Sequence, residues 1–136
     1  MRVFLDTNIL ISSVIVPGTV VAEAFVLASE SPNEALVSDY VLQEFFRKCV
    51  DKFPEKTEQL NCFLLDILPS LQIVTTPSQA LSDEEKVVDI KDRPILRAAP
   101  VHKADILLTG DPHLLNVSAK VSGIEILSPS EFLNRG

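Results

Sequence analysis

The residues in this chain most able to do chemistry are four carboxylates, Asp6, Glu44, Asp92 and Asp111, far apart in sequence but each in a context that can aim it. Asp6 ends the apolar run Val3-Phe4-Leu5 and opens the capping-type trio Asp6-Thr7-Asn8. Asp111 follows Ile106-Leu107-Leu108 by way of Thr109-Gly110. Asp92 precedes Arg93-Pro94 at a helix start, and Glu44 lies off the centre of the apolar stripe of a long helix, where it can reach a cleft. Carboxylates that converge on one rim repel one another and raise each other's pKa unless a divalent cation neutralises them. Hard oxygen donors of this kind suit magnesium or manganese, bound through one or two carboxylates, waters and substrate phosphates. Each acid also has a plain structural explanation. Asp6 and Asp92 can simply cap helices, Asp111 can be turn chemistry, and Glu44 can be a solvated charge beside Gln43 and Arg47. The set of four, in its element context, is what favours a site.

The elements that must position them follow from periodicity and punctuation. Val3-Phe4-Leu5 reads as a buried strand entering a helix, and Pro17-Gly18 breaks the chain. Apolar positions from Thr19 to Glu30 recur at helical spacing, and Glu34 to Ser38 is a second strand. Val41, Leu42, Phe45, Phe46, Cys49, Val50 and Phe53 mark one face of a helix from about Tyr40 to Lys52. The stretch Asp51 to Pro69 then reads as a helical hairpin. Leu71 to Thr75 supplies a third strand. Pro77 to Lys91 is polar and acidic, a loop or short helical turn around Ser82-Asp83-Glu84-Glu85. Asp92 must be delivered to the strand-end rim by this loop crossing the top of the sheet. Pro100 predicts that the next helix kinks or ends near His102-Lys103. Ile106-Leu107-Leu108 and Ile124 to Leu127 are the last strands, and Ser128-Pro129-Ser130-Glu131 opens a terminal helix. Strands separated by helices predict an α/β fold with a mostly parallel sheet of about five strands, whose ligand sites lie beyond the strand carboxyl ends.

With 136 residues, 46% hydrophobic and 23% charged, the chain is expected to form one domain over residues 1–136. Twelve Lys and Arg against nineteen Asp and Glu give a formal charge of −7, which excludes a general basic coat for nucleic acid. It leaves room for an acidic metal cleft rimmed by a few cations. Cys49 and Cys62 lack zinc-site spacing and fall in apolar patterns, so both are expected to be buried reduced thiols, which suits a cytoplasmic location. Neither a secretory leader nor a bilayer-crossing run is evident, so no membrane partner is expected.

Leu5-Asp6-Thr7-Asn8-Ile9-Leu10, the helical Glu44, Asp92-Arg93-Pro94-Ile95-Leu96 and Ala104-Asp105-Ile106-Leu107-Leu108-Thr109-Gly110-Asp111 followed by Leu114-Leu115 resemble the PIN (PilT N-terminus) domain. The tail Ile126 to Leu133 is similar to the same group's. The resemblance implies a three-layer α/β/α sandwich and a metal-dependent endoribonuclease using Mg2+ or Mn2+. Small stand-alone members of the VapC type are toxins restrained by a cognate antitoxin. Asp6, Glu44, Asp92 and Asp111 match the family's four acids, and Thr109 its small hydroxyl residue; Asn8 is taken with Thr109 as a supporting polar residue. A homodimer is implied as well, with the hairpin region Tyr40 to Pro69 as a surface.

Lys91, Arg93, Arg97 and Lys103 are the cations expected to hold the RNA backbone; a solvated helix face is the alternative for them. Asp105 precedes its strand and reads as structural. His102 reads as a helix-end residue near carbonyls, and His113 as a surface residue or a pocket donor. Pro112-His113 stands where relatives often carry a further acid, which leaves a catalytically inactive PIN-like binding module as the rival reading. A haloacid-dehalogenase-type phosphatase wants an aspartate where Asn8 stands, and a receiver domain wants adjacent early acids; both fall behind.

Overall fold

The computed structural model describes residues 1–16 and 18–135. Five strands, β1 (Arg2–Leu5), β2 (Glu34–Ser38), β3 (Leu71–Val74), β4 (Ile106–Leu108) and β5 (Glu125–Leu127), form one sheet in the order β3-β2-β1-β4-β5. Every pairing is parallel. The helices are α1 (Thr7–Ile15), α2 (Val20–Ser29), α3 (Asp39–Lys52), α4 (Thr57–Ile67), α5 (Arg93–Val101), α6 (Pro112–Leu115) and α7 (Pro129–Asn134). Right-handed crossovers put α1 to α4 on one face and α5 on the other, giving the expected α/β/α layering. Central strands in such a sheet are covered on both faces, and accordingly Val3, Phe4, Leu5, Ile106, Leu107 and Leu108 are all fully buried.

The local chemistry explains the boundaries. Asp6, Thr19, Ser38 and Ser128 each accept a backbone N–H at the start of a helix, and Ser128 with Glu131 makes a reciprocal capping box. Of the predicted break, Gly18 turns at a φ of +78°, which its missing Cβ permits; Pro17 lies outside the described residues. Pro100 sits in the last turn of α5, which ends at His102, where Lys103 takes a φ of 60° and the chain turns into β4. The stretch Asp51 to Pro69, expected as a hairpin, holds one helix, α4, which pairs instead with the preceding α3 through a short 3-10 turn over Pro54–Lys56. Cys49 is buried as expected, but Cys62 is exposed. Leu60 and Leu64 occupy the buried stripe of α4, and Cys62, two residues from each, is turned by about 200° to the solvent side. Among the described residues no single helix is long and apolar enough to cross a membrane.

The polar stretch between β3 and α5 is the irregular part of the fold, with 3-10 turns at Ser82–Lys86 and Ile90–Asp92. It is stapled to α5 by two arginines. Arg97 donates to both oxygens of Glu84, at 2.9 and 2.8 Å, and to the Pro77 carbonyl, while Arg93 donates to the Val87 carbonyl. Hydrogen bonding from Arg97 holds the Glu84 carboxyl below its ordinary range. Glu84 is only 3% exposed, so removing its partner strands a buried charge. Arg97→Ala is therefore expected to cost about 3–5 kcal/mol in urea unfolding, against less than about 0.5 kcal/mol for the exposed Lys103→Ala. A loss below about 1 kcal/mol for Arg97→Ala would show that the segment is held by something else.

Candidate active site

The strand order reverses direction on either side of β1, so the crevice beyond the carboxyl ends of β1 and β4 is where a ligand site is expected in a sheet of this kind. The register decides what meets there. Leu5 pairs with Leu108, and the Asp6 amide donates to the Leu108 carbonyl at 3.1 Å, so the next residue on each strand, Asp6 and Thr109, leave the sheet side by side. The Thr109 hydroxyl donates to Asp6 Oδ2 at 2.7 Å and accepts the Asp111 amide at 3.0 Å. On the other side, Asp6 Oδ1 accepts the Thr7 amide at 2.7 Å, and the Thr7 hydroxyl donates to Glu44 Oε1 at 2.8 Å. Asp111 Oδ1 caps the His113 amide, and the His113 ring stands between Asp111 and Asp92. Side chains and short pieces of backbone thus link Glu44, Asp6 and Asp111 in one chain of hydrogen bonds, with Asp92 alongside.

Asp92 arrives from below α5. Tyr40, at the start of α3, donates its hydroxyl to the Lys91 carbonyl at 2.5 Å, fixing the backbone one residue before Asp92. Asp39 joins the ends of α3 and β3 by accepting both the amide and the hydroxyl of Thr76. Glu44, Asp92 and Asp111 line a cleft of about 580 Å³; Asp6 is buried and does not line it, but is tied to Glu44 through Thr7 and to Asp111 through Thr109.

Burial raises the Asp6 carboxyl to about 6 against the lowering effect of Thr109, Thr7 and Lys48. Burial and then the neighbouring charge of Asp111 raise Asp92 to about 7. Asp92 Oδ2 is buried without a hydrogen-bond partner, an arrangement that costs free energy unless something positive faces it. Carboxyls reluctant to ionise, one of them with an orphaned oxygen, are chemistry that suits a divalent cation, and among the described residues the donor atoms that lie within 4.8 Å of one another are those of Asp89, Asp92 and His113.

The expected residues fall into two groups. Of the four acids, Glu44, Asp92 and Asp111 line one cleft, and the buried Asp6 reaches Glu44 and Asp111 only through Thr7 and Thr109. Thr109 contacts Asp6 directly, and Asn8 lies on the cleft wall, accepting Lys48 Nζ at 3.1 Å. The expected cation cluster is corrected. Lys91 lines the cleft, but Arg93 and Arg97 are spent on the stretch before α5, and Lys103 sits at the opposite end of the sheet, next to His102, whose carbonyl accepts Arg2. The other cations lining the cleft are Arg47, Lys48 and Lys52, on α3 with Glu44. Their i+3, i+4 and i+8 spacing from Glu44 was available in the sequence as one helix face. Asp105 is structural: its carboxylate accepts the Arg2 amide at 2.9 Å. His102 caps α5 and bonds the Thr75 carbonyl. His113 lines the cleft, and so does Asp89, which sequence reasoning passed over as loop.

The chain matches the family model for the PIN domain over residues 2–113. No curated protein matches it. Among solved structures it is similar to a chain of VapBC2 from Rickettsia felis bound to a promoter DNA fragment, with a TM-score of 0.71, 17% identity, and 94% of this chain and 98% of that one covered. A chain of DNA-bound VapBC from Salmonella typhimurium gives 0.67 and 17%, covering 95% and 98%. One from FitAB bound to the IR36 DNA fragment gives 0.64 and 16%, covering 93% and 94%.

A carboxyl whose pKa is higher in the folded than in the unfolded chain stabilises the fold at low pH and loses that contribution as pH rises through the folded value. With Asp6 near 6 and Asp92 near 7, the ion-free protein is expected to lose stability between about pH 4 and about pH 7 on their account. Asp92→Asn should flatten this decline in thermal melts taken with EDTA. In the parent, millimolar Mg2+ or Mn2+ at about pH 8 should recover the lost stability, and melts that ignore both pH and ion would remove the cation site.

Proposed function

The chain belongs to the PIN domain family, and from that premise we propose that it is a metal-dependent endoribonuclease, hydrolysing RNA phosphodiester bonds as the toxin of a toxin-antitoxin pair. The observation that supports the reading is Glu44, Asp92 and Asp111 lining one cleft, with the buried Asp6 linked to two of them through Thr7 and Thr109 and Asp92 Oδ2 left without a hydrogen-bond partner. Asp6, Glu44, Asp92 and Asp111 would hold Mg2+ or Mn2+. Bound there, the ion supplies an activated water at neutral pH and charge neutralisation at the phosphate.

The protein's own part is orientation. Thr109 fixes Asp6 from one side and Thr7 fixes both Asp6 and Glu44 from the other, so these carboxylates have little freedom to turn away. Lys91, Arg47, Lys48 and Lys52 provide the positive wall on which a phosphate backbone can lie, a small basic strip on an acidic protein. No Ser-His or Cys-His pair is required by this chemistry.

The antitoxin partner rests on the VapBC neighbours and on family membership. Exposed Phe46, Val50 and Leu65 on the α3–α4 hairpin support a second copy of the chain as a further partner, consistent with the surface expected from sequence. A cytoplasmic location goes with this reading.

Cleavage of single-stranded RNA should require Mg2+ or Mn2+ and stop with EDTA. Asp6→Asn should abolish it with the fold intact by circular dichroism, and Thr109→Val should lower it by about 10–100-fold, since it removes a support and no ligand. RNA binding without ion-dependent turnover would instead establish the inactive binding module.

A further inference from the structure

Asp89 and His113 line the cleft beside Asp92 and are not among the four acids. One ligand atom each from Asp89, Asp92 and His113 lies within 4.8 Å of the others. His113 Nδ1 stands 3.6 Å from Asp92 Oδ2 and 3.7 Å from Asp111 Oδ1. Those separations are too long for hydrogen bonds, and they are spans that two donors of one ion can bridge with bonds of about 2.0–2.2 Å. The independent sign of a ligand is Asp92 itself. It is 9% exposed, its Oδ2 is buried without a hydrogen-bond partner, and that same atom faces the imidazole nitrogen.

The backbone holds the other two donors in place. Asp89 caps the turn Ile90–Asp92 by accepting the Lys91 amide at 3.0 Å, so its carboxylate is tied to the segment that carries Asp92. The His113 amide is held by Asp111 Oδ1 at 2.8 Å, which fixes where the ring leaves the main chain. Imidazole is a poor partner for magnesium but a good one for zinc and its first-row neighbours, so a mixed nitrogen and oxygen set discriminates between ions that an all-carboxylate set treats more alike.

We propose that Asp89, Asp92 and His113 form a cation position in which the His113 imidazole selects nitrogen-accepting ions of the zinc and cobalt type over magnesium. The proposal rests on the reading of the cleft as a metal site, and it adds a selectivity that the four acids do not provide. The His113 side chain is half-exposed, so replacing it changes the donor set with little threat to the fold.

The test is titration calorimetry of the full chain, stripped with chelator, with Zn2+ and separately with Mg2+. A Cys62→Ser background keeps the exposed thiol from competing for zinc. His113→Ala should weaken Zn2+ binding by about 10–100-fold and change Mg2+ binding by less than about twofold. Asp89→Asn should weaken Zn2+ binding in the same direction. With two histidines in the chain, the imidazole spectrum has an internal control: Zn2+ should shift the His113 resonances and leave those of His102, whose Nε2 is engaged by the Thr75 carbonyl and which does not line the cleft, unmoved. Unchanged Zn2+ affinity in His113→Ala, a parallel loss for both ions, or a stationary His113 resonance would each overturn the proposal. Selective Zn2+ binding in a protein that cuts no RNA would sink the nuclease reading and leave this one standing; RNA cleavage with no His113 effect would do the reverse.

Discussion

The arrangement of this protein depends on one contact, the hydrogen bond from Thr109 to Asp6 across the ends of β1 and β4. Two parallel strands in fixed register carry their next residues out of the sheet together, and here those residues are a buried carboxylate and the hydroxyl that holds it. Every other donor is placed relative to that pair. Asp111 hangs from the same Thr109 oxygen through its amide, and Glu44 is reached from Asp6 through Thr7. A slip of one residue between β1 and β4 would turn every side chain on one of them to the opposite face, so the packed core and the cleft are specified by the same register.

How much of this was legible in the sequence varied with the range of the interaction. Asp6 and Asp111 could be placed because a short apolar strand followed by a capping residue is a local signal, and parallel sheets gather strand ends on one rim. Glu44 could be placed to within a helix face by periodicity, though not its bond to Thr7, which depends on α1 packing against α3. Asp92 was legible as a helix start, whereas its delivery to the rim depends on Tyr40, Arg93 and Arg97, all acting across long sequence separations.

The cations show the same limit from the other side. Lys91, Arg93, Arg97 and Lys103 cluster in sequence around α5, and sequence proximity suggested a shared task. The fold divides them: one faces the cleft, two hold the preceding segment, and one is left at the opposite end of the sheet. Arg47, Lys48 and Lys52 belong to a helix whose rotation is set by Phe45 and Cys49 entering the core. Which polar face of α3 then meets the cleft is a tertiary fact. Cys62 failed for a related reason, since a helix covered on one side has room for only one buried stripe.

The clustering of carboxylates is unfavourable for folding, and the structure shows where that cost is absorbed. Asp6 and Asp92 are held where burial opposes their ionisation, and Asp92 keeps an oxygen that no protein group satisfies. Opposing this is a nearly unbroken apolar core through β1, β2 and β4, and a salt bridge between Glu84 and Arg97 that pins the loop against the helix following it. Relaxing the site would be easy in chemical terms: a solvated loop in place of the stapled one would let Asp92 swing into water and find partners there. The two arginines prevent that relaxation. They keep Asp92 underfed, and an underfed carboxylate beside three others gains most from a cation. The acidic total of the chain, which excludes a basic nucleic-acid coat, is thus compatible with a phosphate-binding cleft, because the positive charge lining it is local: Arg47, Lys48 and Lys52 of α3, and Lys91.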